Sequence, residues 1–137
     1  MRTHAIRLFS FRLCLLLLLA AALGGSRMAA AATVKAGDAD NGTTIHLQAG
    51  DTLEVQLKST PSTGYMWYIR PKSTPLLKLA SQTMTEPAES GVGRPVFQIF
   101  RFTATKAGAG DLLLHYVRSW EPPSEEEQRF TLHVMVE

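Results

Sequence analysis

A chain of 137 residues with one cysteine and a formal net charge of +2 is sized for a single domain with enough buried surface to fold alone. Four of its 14 basic residues (Arg2, Arg7, Arg12 and Arg27) precede residue 33, so the remainder carries ten basic against twelve acidic residues, a net charge of −2. With no basic cluster and no cysteine after Cys14, residues 33–137 exclude a nucleic-acid footprint, thiol catalysis and a cysteine-ligated metal.

The first element is a targeting segment. Arg2, Arg7 and Arg12 make a basic start, and no acidic residue appears before Asp38. Leu13 to Leu23 is apolar throughout, and Ala30-Ala31-Ala32 then fits an A-x-A cleavage site. Basic start, short apolar run and small-residue exit predict a secretory signal peptide over residues 1–32 and a mature domain over 33–137. Eleven apolar residues fall short of the ~20 that span a bilayer. Gly24-Gly25-Ser26 offers a second small-residue exit, and Cys14 lies inside the apolar run, which argues against lipidation there. The chain is expected to be exported, to a periplasm or out of the cell, with no membrane attachment once the signal is removed.

Seven short runs follow. They are Thr43–Leu47, Leu53–Leu57, Tyr65–Ile69, Leu77–Leu79, Val96–Ala104, Leu112–Tyr116 and Phe130–Val136. Apolar residues alternate along them at period two, with turn residues between, and no segment sustains a helical period. The pattern predicts an all-β fold, an immunoglobulin-like β-sandwich of seven or eight strands with Trp67 buried between the sheets. In the Val96 run, Phe97 and Ile99 share one face and Phe100 and Phe102 the other; a bulge near Ile99 or Phe100 would bring both pairs inward, and otherwise both faces of the strand are covered. Lys106 to Asp111 reads as a turn, and Pro122 to Glu127 as a solvated acidic loop.

Convergent polar groups, which catalysis requires, are not found. There is no G-x-S-x-G elbow. His46, His115 and His133 alternate with apolar neighbours and read as solvent-facing strand positions, without the short spacing of a metal site. Asp38-x-Asp40-Asn41-Gly42 falls short of a calcium loop, since its glycine is one position early and Ala49 stands where a bidentate glutamate is needed; it reads as a flexible N-terminal segment. Adjacent Glu125, Glu126 and Glu127 cannot all face one point. No catalytic residue, metal or cofactor is assigned.

The connections carry the uncommon chemistry. The first, Thr60-Pro61-Ser62-Thr63-Gly64-Tyr65, combines a proline that fixes φ, a glycine that allows positive φ and hydroxyls that bond back to local backbone. The second, Gly91-Val92-Gly93-Arg94, is glycine-rich, and the third is Arg118-Ser119-Trp120. Connections after the second, fourth and sixth runs emerge at one end of such a sandwich. Arginine and tryptophan are frequent interface anchors, so the three stretches together read as a binding surface. An exported adhesion or carbohydrate-binding module, with Tyr65, Trp67 and Trp120 on one flat face, is the alternative.

In this order the three stretches resemble the N-P-T-T-G-Y/F, G-x-G-G and R-P-W loops of the chagasin-like inhibitors of papain-type cysteine proteases. The resemblance spans the mature chain, including Phe100-x-Phe102 and Lys106-Ala107-Gly108. It implies a reversible, non-covalent inhibitor, not an enzyme, whose partner is a papain-type cysteine protease and which acts as a monomer without cofactor. Thr60 to Tyr65 would enter the protease cleft, with Gly91 to Arg94 along one side and Arg118 to Trp120 along the other. Thr60, Ser62, Arg94 and Ser119 depart from the family pattern. Thr60 is expected to cap the first turn through its hydroxyl, and Ser119 to free a φ that proline would fix.

Overall fold

A computed structural model describes residues 29–85 and 96–137; most of the expected signal segment and all of Gly91–Arg94 lie outside the described residues. Eight strands form two sheets: β1 (Thr33–Gly37), β2 (Thr44–Leu47), β3 (Thr52–Ser59), β4 (Met66–Ile69), β5 (Leu77–Met84), β6 (Val96–Ala104), β7 (Gly108–Val117) and β8 (Gln128–Val136). One sheet runs β1-β3-β6-β5 and the other β2-β8-β7-β4. β1 lies parallel to β3 and β2 parallel to β8, while the other pairs are antiparallel. The immunoglobulin-like sandwich expected from the period-two pattern is thus the fold.

Alternation explains the core. Leu53, Val55 and Leu57 of β3 face Phe100 and Phe102 of β6 within their sheet, and Leu112, Leu114, Phe130, Leu132 and Val134 line the other, all buried. Each such side chain stabilises the fold by roughly 1.5–3 kcal/mol. Trp67 sits among them at 2% exposure, between the sheets.

Several local expectations change. No bulge occurs in β6, whose register with β3 is continuous. Val96, Gln98, Phe100, Phe102 and Ala104 point inward and Phe97 and Ile99 outward, while the register shift lies across the sheet between Leu79 and Ser81 of β5. The inward amide of Gln98 is the reason. Gln98 is fully buried, accepts a hydrogen bond from Trp67 N at 2.7 Å and donates one to Trp67 O at 3.2 Å. β4 is the outer strand of its sheet, so one edge of it lacks a neighbouring strand. A side chain from the opposite sheet satisfies these groups instead.

Asp38–Asp40 is a short 3-10 turn and not a loose segment. Asp40 accepts from Gly37 N at 2.7 Å, Asp38 from Lys58 N at 3.2 Å, and the Asn41 side chain bonds Arg129 O and Thr131 N. β7 begins at Gly108, four residues before the expected start at Leu112. His115 is partly covered: Nδ1 lies 3.5 Å from Glu127 Oε1, and Glu127, the one inward acid of its run, also approaches Arg70 and Arg129.

Candidate functional site

Register places the connections. Met66 pairs with Val117 and Trp67 with Tyr116, so the start of β4 and the end of β7 lie side by side. The first and third loops therefore leave the sandwich together. Val96, where β6 begins, pairs with Ser59, where β3 ends, so the start of β6 lies next to the first loop.

The first loop is a closed turn. Pro61–Thr63 forms a 3-10 turn with proline at its start and Gly64 at its end in the left-handed region, φ +85. Thr63 N bonds Thr60 O at 3.0 Å, Gly64 N bonds Pro61 O at 2.9 Å, and the Thr63 hydroxyl donates to Thr60 O at 2.6 Å. The Thr60 hydroxyl does not cap this turn. It lies 2.8 Å from the Tyr116 hydroxyl, which also accepts Thr60 N at 2.9 Å. The two flanking residues close the loop as an isolated bridge between Thr60 and Tyr65. Both hydroxyls are in use, but Thr60 reaches sideways to the neighbouring sheet strand.

Tyr116, whose role the sequence did not suggest, is the pillar of the cluster. Its ring stacks on Tyr65 at 5.5 Å and tilts against Trp67 at 5.0 Å; such pairs are worth ~0.5–1.5 kcal/mol beyond area. Trp67 Nε1 donates to Lys58 O at 2.9 Å, which fixes the base of the loop.

The third loop closes over the first. Arg118 Nε donates to Thr63 O at 2.9 Å, and its guanidinium sits 4.4 Å over the Tyr65 ring. Its Nη1 bonds Glu121 Oε1 at 2.9 Å, and that hydrogen bond, first among the causes, raises the Arg118 pKa further. Glu121 N bonds Arg118 O at 3.1 Å, so the turn at Ser119 is tied without proline. Trp120 is 70% exposed, yet its ring occupies the space where a side chain on Gly64 would lie. Glycine is required there twice over, by φ and by the indole.

Thr60, Pro61, Ser62, Thr63, Gly64, Tyr65, Arg118, Ser119 and Trp120 are thus brought to one end, and Tyr116 and Glu121 are the additions. Trp67 is not exposed beside Tyr65 and Trp120, so the three do not make a flat aromatic platform.

The model of the chagasin family peptidase inhibitor I42 matches residues 46–134. The chain belongs to this family. It is 31% identical over 100 residues to chagasin of Trypanosoma cruzi, spanning 70% of this chain and 91% of that protein. Amoebiasin-2 of Entamoeba histolytica is 34% identical over 95 residues, 68% of this chain and 76% of its own. The crystal structure of the cysteine protease inhibitor EhICP2 from Entamoeba histolytica matches with TM-score 0.69 and 31% identity, over 79% of this chain and 98% of that one. As a chagasin-family protein, the chain is a cysteine protease inhibitor and not an enzyme.

Proposed function

We propose that the protein blocks papain-type cysteine proteases reversibly by presenting the Pro61–Tyr65 turn to the catalytic cleft, flanked by Gly91–Arg94 and by Arg118–Trp120. The observation that carries this reading is the locked tip: Thr63 and Gly64 are closed by internal hydrogen bonds, by Arg118 and by Trp120. A substrate reacts when its scissile carbonyl reaches near-attack geometry, and a fixed turn held ~1 Å away from it reacts very slowly. Thr63 O already accepts a hydrogen bond from Arg118, so presenting it elsewhere would first cost that bond. Preorganisation also lowers the ordering cost of binding. A complex of this kind buries on the order of 800 Å² per partner, with Trp120 as an anchor.

The same reading makes the mature protein an exported monomer that needs no cofactor. Burial of Trp67 removes one of the three aromatics on which a carbohydrate-binding surface would rest. Titration of papain with the folded, exported protein tests the proposal. Stoichiometric, reversible inhibition with the inhibitor chain recovered intact is expected; uninhibited papain at micromolar folded protein would sink it.

A further inference from the structure

At the end of the sandwich away from the loops, the domain begins on a residue whose backbone is fully engaged. Ala32 donates its N–H to Asp51 Oδ1 at 2.9 Å and accepts from Thr52 N at 2.9 Å. Among the described residues it is the first with both groups bonded into the fold. Ala29 to Ala32 are all exposed and precede the first strand, and Ala32 stands apart by these two bonds. Asp51 is 8% exposed, and its second carboxylate oxygen accepts Gln48 N at 2.8 Å. The Gln48 and Ala32 N–H groups, in that order, hold its carboxyl below the ordinary carboxylate range against the opposing effect of burial. Among the described residues no Lys, Arg or His side chain pairs with it. A nearly buried carboxylate that holds a main-chain nitrogen and faces no cation is a place where an α-ammonium fits.

We propose that the exported chain is cut between Ala31 and Ala32, and that the α-ammonium freed at Ala32 forms an ion pair with Asp51. This rests on the signal-peptide reading and moves its cut by one residue. Ala29 and Ala31 satisfy the A-x-A pattern for this bond as well as Ala30 and Ala32 do for the next. The folded domain separates the two. A cut after Ala32 would remove the partner of Thr52 N and one partner of Asp51, whereas a cut before it keeps both. The step is a hydrolysis by a signal-peptidase-type enzyme. Water adds across the Ala31–Ala32 amide, its hydroxyl going to the Ala31 carbonyl carbon and its hydrogen to the Ala32 nitrogen. That amine takes up one more proton at neutral pH, and its existing bond to Asp51 becomes charge-assisted. Cleavage would thereby anchor the parallel β1–β3 edge from its first residue.

N-terminal sequencing of the product exported from the full-length chain tests the cut, with Ala32 expected first. Selective acetylation of the α-amine of that product removes the charge but keeps an N–H. It should lower the melting temperature by a few degrees in the wild type and leave Asp51→Asn unmoved. A product that begins at Thr33, or at any other residue, overturns the assignment. A product that begins at Ala32 but melts identically after acetylation overturns the ion pair. A chain recovered with Met1–Ala31 attached fails earlier, at the signal-peptide reading itself.

Discussion

Away from the loops, the sandwich is stitched by its own main chain: Gly50 N to Ala104 O at 2.8 Å, Ala104 N to Asp51 O at 2.9 Å, Ala49 N to Glu137 O at 2.9 Å and Glu137 N to Leu47 O at 2.9 Å. Asp51 is the side chain that adds to this stitching, through Ala32 N and Gln48 N. At the loop end main-chain bonds stay within each turn, and the contacts that join one loop to its neighbours are made by side chains. The Tyr116 hydroxyl holds Thr60, Arg118 holds Thr63, and the Trp120 ring covers Gly64. Main-chain stitching tolerates many side chains and serves stability. Side-chain stitching depends on particular residues, so substitution there alters the shape of the tip before it unfolds the domain. On the proposed reading, the body of the sandwich carries stability and the loop end carries inhibition.

Substitutions can break or sharpen this contrast. Gln98→Ala should act on the body: it leaves Trp67 N and O without their partner in a dry site, at a cost of about 2–4 kcal/mol. Chemical denaturation reads it, and the protein that remains folded should inhibit papain nearly as the wild type does. Trp120→Ala should do the reverse, weakening inhibition about 100-fold. Because the ring is 70% exposed, the melting temperature should move by only about 2 °C. A collapse of the fold would instead make Trp120 a lid over the core.

Arg118→Ala comes next, with about a tenfold loss of inhibition, since it releases Thr63 O and the Tyr65 ring together. Arg118→Lys should recover only part of it, because an ammonium lacks the planar fork that serves Thr63 and Glu121 at once. The smallest effect is expected of Tyr116→Phe, which keeps the aromatic stack and removes only the hydroxyl. It should cost about 1 kcal/mol of stability and a few-fold in the inhibition constant, measured on the same preparation.

The sandwich was legible because its strands alternate so regularly, and the first loop because proline, glycine and hydroxyls have few other uses in that order. What was hidden depends on topology. The strand Thr33–Gly37 buries only Ala36, too little alternation to announce itself. Gln98 looks misplaced in a core strand until β4 is known to be an edge whose free groups need an amide. The bulge that would have turned Phe97 and Ile99 inward is absent, and both stand on the outer face because apolar residues outnumber the inward positions of β6. Tyr116 is one more apolar-alternating residue in sequence, and only the register against Trp67 sets its hydroxyl beside Thr60. The turn at Ser119 kept its shape through Arg118 and Glu121, two residues that pair three apart.

The central claim is that the geometry of the locked tip, not merely its surface, carries inhibition, and Gly64→Ala tests it most directly. A methyl group at φ +85 is strained and collides with the Trp120 ring, at about 1 kcal/mol for the backbone alone. With the papain inhibition constant and the melting temperature measured on one sample, the account predicts a folded domain, melting within about 8 °C of the wild type, that inhibits at least ~100-fold less well. Inhibition retained within about threefold by a folded Gly64→Ala protein would contradict it.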